Sequence, residues 1–305
     1  MDVDAIVDEF SCEEHNIRKI LKYYRLDRGY RIWSDELTEK VLLDYEQRQM
    51  PVKDIVYKYL ISESGLIKVA KRNNIYVPKR EKYSKDVHYF DEINTPNKAY
   101  ILGLLYADGC NNVKNYTIQL WLQEQDKSLL EVIKDELKYE GPLRYKIYDS
   151  PNCKNQFGLN IANKYLSISL EKLGMVQNKS NILTFPKFLQ PDLVPHFIRG
   201  IFDGDGCMSW NINRKTWYVS IVGTYDICCG IGNYMDSIGC KYCIRQDKRC
   251  VNCFQIEPTS ISSRFYFLES IYNDAEIKMD RKYEKFLSLC EEFNMKISSS
   301  QRVDE

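Results

Sequence analysis

The chain writes one ten-residue phrase twice. ILGLLYADGC starts at Ile101 and IRGIFDGDGC at Ile198, 97 residues later, and five of the ten positions are identical. The stretch behind each copy repeats as well. After the first, YTIQLWLQ alternates as a strand, KSLLEVIKDEL has helical spacing, LRYKIYD and QFGLNIAN alternate as a hairpin, and KYLSISLEKLG is helical again. After the second, MSWNI and WYVSIVGT read as strands, DICCGIGNYMDSIG as a helix, KYCIRQDKRCVNCFQIE as a hairpin and SRFYFLESIYN as a helix. Each half is an αββαββα unit, so the fold class is α+β. Such a duplication implies a pseudo-twofold axis, with the two copies packed as the halves of a dimer would be.

Each phrase is an apolar helix that ends in Asp-Gly. Helices in contact along their length need small residues where they touch. Gly103 and Ala107 in the first copy, and Gly200 and Gly204 in the second, are four apart and share a helical face, so the phrase helices are expected to pair at a central seam. Gly109 and Gly206 are expected in the left-handed position that stops a helix. Asp108 and Asp205 then stand at helix C-termini, where the dipole disfavours an anion by roughly 0.3–1 kcal/mol. Two carboxylates meeting across a seam repel each other further. One Asp-Gly alone would read as a turn dipeptide; two in register call for a positive partner. Mg²⁺ (or Mn²⁺) prefers oxygen ligands, and Mg²⁺ commonly takes one or two carboxylates with water or phosphate completing its shell.

These two phrases resemble the paired motifs of the LAGLIDADG homing endonucleases of the single-chain type, over roughly residues 88–290. The resemblance implies two four-stranded antiparallel sheets that form a saddle over double-stranded DNA, with the phrase helices crossing at its centre. It implies that the acids at the eighth motif position, Asp108 and Asp205, hold the metal, with Gly109 and Gly206 in the same site. It implies phosphodiester hydrolysis, one acid serving each strand, with cuts across the minor groove that leave short 3′ overhangs. There the metal lowers the pKa of a bound water and stabilises the leaving oxygen. The family also places a lysine near each active site, which the segments GMVQNKSNILTFP and DAEIKMDRKYEKF carry over to Lys179 and Lys282. At the sixth motif position the second copy has Asp203, but the first departs with Tyr106.

Strand alternation nominates the residues that would read bases. In the first half Ile118, Leu120 and Leu122 point inward, leaving Thr117, Gln119 and Gln123 outward, and Arg144, Lys146, Tyr148, Gln156 and Asn160 share the outward face of the hairpin. In the second the outward set is Ser209, Asn211, Asn213, Tyr218, Ser220, Lys241, Arg245 and Gln255. Gln, Asn and Arg suit base edges in the major groove, although a half-exposed sheet of any kind alternates.

Ahead of the duplication, residues 1–82 are helical by pattern. Val41, Leu42 and Tyr45, then Ile55, Val56 and Tyr59, then Leu66, Ile67 and Ala70 recur at helical spacing. Pro51 fits a first helical turn and Ser62 a cap. Three short helices with a tight turn before the last is helix-turn-helix grammar, and the last would expose Ser64, Lys68, Lys71 and Arg72; a plain helical bundle with a solvated charged face fits the same pattern. An earlier fragment repeats the theme, with a capping box at Ser11 and Glu14 ahead of Asn16, Arg18, Lys19 and Lys22. Residues 83–98 read as a linker, 99–194 as the first half and 195–297 as the second.

Charge is balanced at 43 basic and 43 acidic residues, a mild argument against nucleic acid. Yet residues 64–85 hold Lys68, Lys71, Arg72, Lys79, Arg80, Lys82 and Lys85 against Glu81 alone, and a local basic stripe can contact phosphates. With 44% hydrophobic residues the chain is expected to fold. No run approaches the ~18 apolar residues of a membrane span, and the acidic start MDVDAIVDEF is unlike a signal peptide. A soluble intracellular protein is expected, in the cytoplasm or in the host compartment of a mobile element or phage. Eleven scattered cysteines fit a reducing interior. Cys240, Cys243, Cys250 and Cys253 could form a structural zinc site. The gap between the pairs is short for one, and alternation sends Cys240 and Cys243 to opposite faces.

The expected function is site-specific double-strand DNA cleavage of the intron-homing type, by a monomer on a long asymmetric target. The same fold also serves non-cleaving DNA-binding regulators and RNA-splicing maturases, and keeping both acids favours cleavage over regulation. An intein would need splicing signals at its ends; with MDVD and SQRVDE there, a free-standing enzyme is expected.

Overall fold

The computed structural model describes residues 34–47, 52–73, 83–150, 153–213, 215–248 and 251–301, with side chains as far as 45 and 294 in the two helices that continue past those positions. Readings that rest on Ser11, Glu14, Asn16, Arg18, Lys19, Lys22, Pro51, Lys79, Arg80, Glu81, Lys82 and Cys250 fall outside the described residues. The chain divides into two compact units, residues 1–80 and 81–305.

In the first unit, α1 (Asp35–Gln47), α2 (Val52–Lys58) and α3 (Glu63–Arg72) enclose a small core of Val41, Tyr45, Ile55, Ile61, Leu66 and Ala70. Asp44 fastens α1 to the end of α2, accepting from Lys58 Nζ at 2.8 Å and from the Tyr59 hydroxyl at 2.7 Å. The turn from α2 to α3 is tight, with Leu60 left-handed (φ 50°). Ser62 caps α3 by accepting from the Gly65 N–H at 3.0 Å. The opposite face of α3 exposes Ser64, Lys68, Lys71 and Arg72.

In the second unit the duplication becomes two copies of one layout. The first half comprises α4 (Pro96–Asp108), β1 (Gly109–Asn112), β2 (Thr117–Gln123), α5 (Lys127–Glu136), β3 (Arg144–Lys146), β4 (Gln156–Ala162) and α6 (Lys164–Lys172). The second comprises α7 (Val194–Asp205), β5 (Gly206–Asn211), β6 (Thr216–Gly223), α8 (Tyr225–Ser237), β7 (Tyr242–Gln246), β8 (Phe254–Pro258) and α9 (Ile261–Tyr272), and then α10 (Asp280–Gln301). The sheets have the same antiparallel order, β1-β2-β4-β3 and β5-β6-β8-β7. The fold is therefore α+β with a duplicated αββαββα unit, as the repeat implied.

One face of each sheet is apolar and covered by helices. Ile118, Leu120, Leu122, Leu159 and Ile161 are buried in the first sheet, and Met208, Val219, Ile221 and Ile256 in the second. Strand register puts the polar rows on the other face together. Gln119 lies opposite Asn160, Gln123 opposite Gln156, and Lys146 also opposite Gln156. Residues 83–98, charged enough to read as a linker, are no free chain: Tyr89 and Phe90 are buried in the core of the duplicated unit, and Asp86 N–H donates to Leu137 O at 2.8 Å. Two aromatic anchors outweigh the polar residues around them.

Candidate functional site

The phrase helices α4 and α7 pack on each other at backbone distance. A Cβ on Gly103 would stand 2.1 Å from the Phe197 carbonyl oxygen, and one on Gly200 2.1 Å from that of Tyr100. Nearer the C-terminal ends, a Cβ on Gly204 would meet the Ala107 Cβ at 2.3 Å and Asp108 Oδ2 at 3.1 Å. The seam of Gly103, Ala107, Gly200 and Gly204 thus runs directly to the acids. Gly109 and Gly206 correct the sequence reading. They are extended (φ −78°, ψ 156° and φ −72°, ψ 145°), not left-handed, because each helix passes straight into a strand. Glycine is needed there for space: a Cβ would collide with Leu105 O at 2.6 Å and with Phe202 O at 2.4 Å.

The two lysines nominated beside the acids do come to the helix ends. Lys179 Nζ donates to Ala107 O at 2.7 Å. Lys282 Nζ donates to Phe202 O at 2.5 Å, Gly206 O at 2.6 Å and Gly204 O at 3.2 Å. Ala107 and Gly204 occupy the same position of the phrase, so both cations cap last-turn carbonyls, where the dipole favours positive charge. The Gly206 carbonyl, grouped with the metal site by sequence, is already an acceptor for Lys282.

That arrangement leaves the acids themselves uncommitted. Among the described residues no hydrogen bond or ion pair engages the Asp108 or Asp205 carboxylate. Both open to solvent, yet protein packed around them removes enough water to raise both pKa values. For Asp205 desolvation and then the Asp108 charge push the carboxyl up to about 6, against the pull of Lys179 and Lys282. Asp108 is raised by desolvation, with Lys282, Lys179 and Arg281 opposing. Burial lowers Lys179, against the attraction of both acids, and brings Lys282 down to about 8. A cavity of about 300 Å³ opens beside Asp205 and Lys179, walled by Tyr106, Leu183, Thr224 and Ile227.

Such a pair fits a hard divalent cation: two adjacent carboxylates, free of protein donors, open to water and, at Asp205, destabilised by the neighbouring charge. Among the described residues no group of three or more His, Cys, Asp or Glu is arranged to hold a metal. Water or phosphate oxygens would therefore complete the shell of an ion held there.

On the polar face of the first sheet, Thr117, Gln119, Gln123, Gln156 and Asn160 are half-buried and Arg144 and Lys146 exposed. Tyr148 comes next, its hydroxyl donating to Gln156 Oε1 at 3.2 Å, with Lys146 Nζ 4.6 Å from its ring centre. In the second sheet Ser209 lies opposite Tyr218, Asn211 shares their face, and Gln255 donates to the Tyr218 hydroxyl. Lys241 is exposed just before β7, and Asn213 is exposed in the turn after β5. Arg245 is already paired with Glu257 at 3.0 Å. Ser220 is a correction: it has the right parity but is 1% exposed and its Oγ has no hydrogen-bond partner. A short side chain on a central strand, between Tyr218 and Val222, is overtopped. Three residues on the polar face of the first sheet escaped the sequence reading. Trp121, opposite Gly158, lies where a Cβ on that glycine would come within 2.4 Å of its ring, and Cys110 and Asn112 on β1 lie opposite Gln119 and Thr117. Extending the parity of β2 across to its partners would have found them.

Two of the four cysteines nominated for zinc have other partners. Cys240, buried, donates to Ser263 O at 3.5 Å, and Cys243, on the opposite face, to Glu257 Oε1 at 3.3 Å. Among the described residues no helix is long and apolar enough to cross a membrane.

No protein-family model matches the chain. In sequence it is similar to the ribonucleoside-diphosphate reductase NrdEB subunit alpha of Bacillus subtilis, 21% identical over 184 residues, which is 55% of this chain and 17% of that subunit. The chain thus spans well under two thirds of that relative. It is 24% identical over 200 residues to an uncharacterized protein of Methanocaldococcus jannaschii, covering 59% of this chain and 70% of that one. Among solved structures it is similar to the I-LtrWI LAGLIDADG homing endonuclease bound to target DNA (TM-score 0.43, 15% identity, 69% of this chain and 92% of that one). It is also similar to I-DmoI in complex with DNA and Ca (TM-score 0.41, 15% identity, 63% and 93%) and to full-length WhiA from Thermotoga maritima (TM-score 0.43, 17% identity, 72% and 71%). At these scores the matches carry nothing about activity.

Proposed function

We propose that the chain is a site-specific double-strand DNA endonuclease of the homing type, with Asp108 and Asp205 holding divalent metal, Mg²⁺ or Mn²⁺, against the scissile phosphates. The observation that carries this reading is the pair of unpartnered, solvent-facing carboxylates at the ends of two seam helices whose carbonyls are capped by lysine. An acid kept for structure would be bonded; Asp203, two residues before Asp205, is bonded three times.

When bound, the metal would acidify a water for attack and stabilise the leaving oxygen. The chain's own residues set the geometry. The glycine seam fixes the spacing of the two carboxylates. Lys179 and Lys282 engage carbonyls at the helix ends rather than the carboxylates, which leaves the acids to face the substrate, and their charge draws phosphate toward the site. The two polar sheet faces present Gln, Asn and Arg to base edges, with different residues in each half, as an asymmetric target requires. The exposed row of Ser64, Lys68, Lys71 and Arg72 on α3 adds backbone contacts as a helix-turn-helix would, and the internal pseudo-dyad makes a monomer sufficient.

A cleavage selection on a randomised duplex library with Mg²⁺ tests the reading and finds the site together. A cut site should emerge for the wild type. With Asp108→Asn or Asp205→Asn, double-strand cutting should vanish while gel-shift affinity is kept. Full cutting by the double variant would refute the assignment.

A further inference from the structure

At the sixth position of the phrase the two copies differ, tyrosine in one and aspartate in the other, yet both side chains reach the same kind of target. The Tyr106 hydroxyl donates to Leu173 O at 2.5 Å. It comes so close to the connector after α6 that a Cβ on Gly174, left-handed at φ 94°, would stand 2.4 Å from it. Five residues after that glycine the connector presents Lys179. Asp203 is fully buried on α7 and accepts from the Met279 N–H at 2.8 Å, from the Tyr272 hydroxyl at 2.6 Å and from the Tyr100 hydroxyl, across the seam, at 2.8 Å. Three residues after Met279 stands Lys282, whose own N–H donates to Met279 O at 3.0 Å. Arg199, one helical turn before Asp203, grips the end of α9 through Ile271 O at 2.8 Å and the same connector through Ile277 O at 3.0 Å.

We propose that Tyr106 and Asp203 are positioning residues, each fastening the connector that delivers the capping lysine of its own half to the end of the motif helix. The physical reason is leverage. Each lysine arrives from outside its helix, and without a nearby fixed point a flexible side chain would have to give up its rotamer freedom for the cap alone. A phenol donating to a carbonyl and a carboxylate accepting from an amide are interchangeable solutions, because each needs only one atom of the connector. The copies could therefore diverge at this position while the cap was kept.

The assignment of roles in cutting rests on the nuclease reading, so the test has one arm that does not need it. In the full chain without DNA, acylation by the N-hydroxysuccinimide ester of acetic acid, read lysine by lysine by mass spectrometry, reports how often each amine leaves its cap. Lys179 and Lys282, 8% and 4% exposed, should be among the slowest to react in the wild type. Asp203→Asn offers one amide oxygen to three donors and should raise acylation of Lys282 about tenfold, the effect of losing one buried hydrogen bond, with Lys179 unchanged. Tyr106→Phe should raise Lys179 and leave Lys282 unchanged; it introduces no new polar group, so it decides the matter even if Asp203→Asn fails to fold. Variants that expose both lysines equally, or neither, overturn the proposal. In the second arm, on the selected target, the two variants should slow opposite strands and accumulate oppositely nicked product; equal slowing of both strands would also overturn it. A wild type that cuts nothing would sink the nuclease reading alone, since acylation would still decide this one.

Discussion

The two halves of the duplicated unit share a backbone plan but not the side chains behind it. In the first, Lys179 opens a single 3₁₀ turn and meets one carbonyl. In the second, Lys282 lies in the first turn of the 22-residue helix α10 and meets three. Buried Leu102 of the first phrase corresponds to buried Arg199 of the second, and Tyr106 to Asp203. Unchanged across the copies are the seam glycines Gly103 and Gly200, the glycines at the helix-to-strand junctions and the two acids. The glycines and acids that the pseudo-dyad brings together match, while Leu102 and Tyr106 have given way to Arg199 and Asp203 with the lysine still arriving.

Breaking that symmetry at its centre should have the largest effect. Asp108→Asn or Asp205→Asn removes one of the two carboxylates proposed to hold metal, and double-strand cutting should fall more than about a hundredfold, beyond what loss of an outer-shell partner costs. The seam comes next. Gly103→Ala and Gly200→Ala each force a methyl onto a carbonyl oxygen 2.1 Å away, so each should destabilise the fold by about 1–3 kcal/mol, the usual cost of overpacking, measured as a lower urea midpoint. Gly204→Ala, whose new methyl would lie 3.1 Å from Asp108 Oδ2, should lose cutting out of proportion to stability.

A gentler probe is pH. Asp205 is pushed up to about 6 by desolvation and the Asp108 charge, and a proton competes with a cation for its oxygens. Mg²⁺ affinity measured by calorimetry should hold above that pH and fall as the solution is acidified through it. In Asp108→Asn the like charge is gone, so the fall should move to lower pH. For the cation-free protein the sign reverses: a carboxyl raised on folding contributes stability that is full below its ordinary pKa of 3.8 and is lost as pH rises through about 6. Thermal midpoints that rise instead between those values would break the account.

How much of this the chain displayed in advance depends on periodicity. A repeat at a spacing of 97 residues, small residues four apart, and strands that alternate are one-dimensional patterns, and they disclosed the duplication, the seam and most of both polar faces. The corrections came from three-dimensional crowding. Gly109 and Gly206 match a helix-stop pattern, but the need they meet is space against Leu105 and Phe202. Ser220 has the correct parity but no height. Tyr89 and Phe90 sit among charges, and only their burial reveals them as anchors. The partners of Lys179 and Lys282 were illegible for another reason: a long side chain chooses among carbonyls brought near by the fold, and no spacing encodes that choice.

The smallest effect should separate the two sheets. Arg144 is exposed on the first, and no described hydrogen bond or ion pair engages its guanidinium, so it is free to meet a guanine edge. Arg245 on the second must first leave Glu257, and the carboxylate it abandons would then face DNA. On the selected target, Arg144→Ala should therefore cost roughly 1–3 kcal/mol of binding and relax preference at one base of its half-site. Arg245→Ala should cost less than about 1 kcal/mol, since an exposed pair contributes little and its charge is already spoken for. The double change Arg245→Ala with Glu257→Gln removes the repulsion as well, and should bind more tightly than Arg245→Ala alone. Equal losses at the two arginines would mean that the salt bridge opens on DNA, and that the sheets differ in residues but not in how they read.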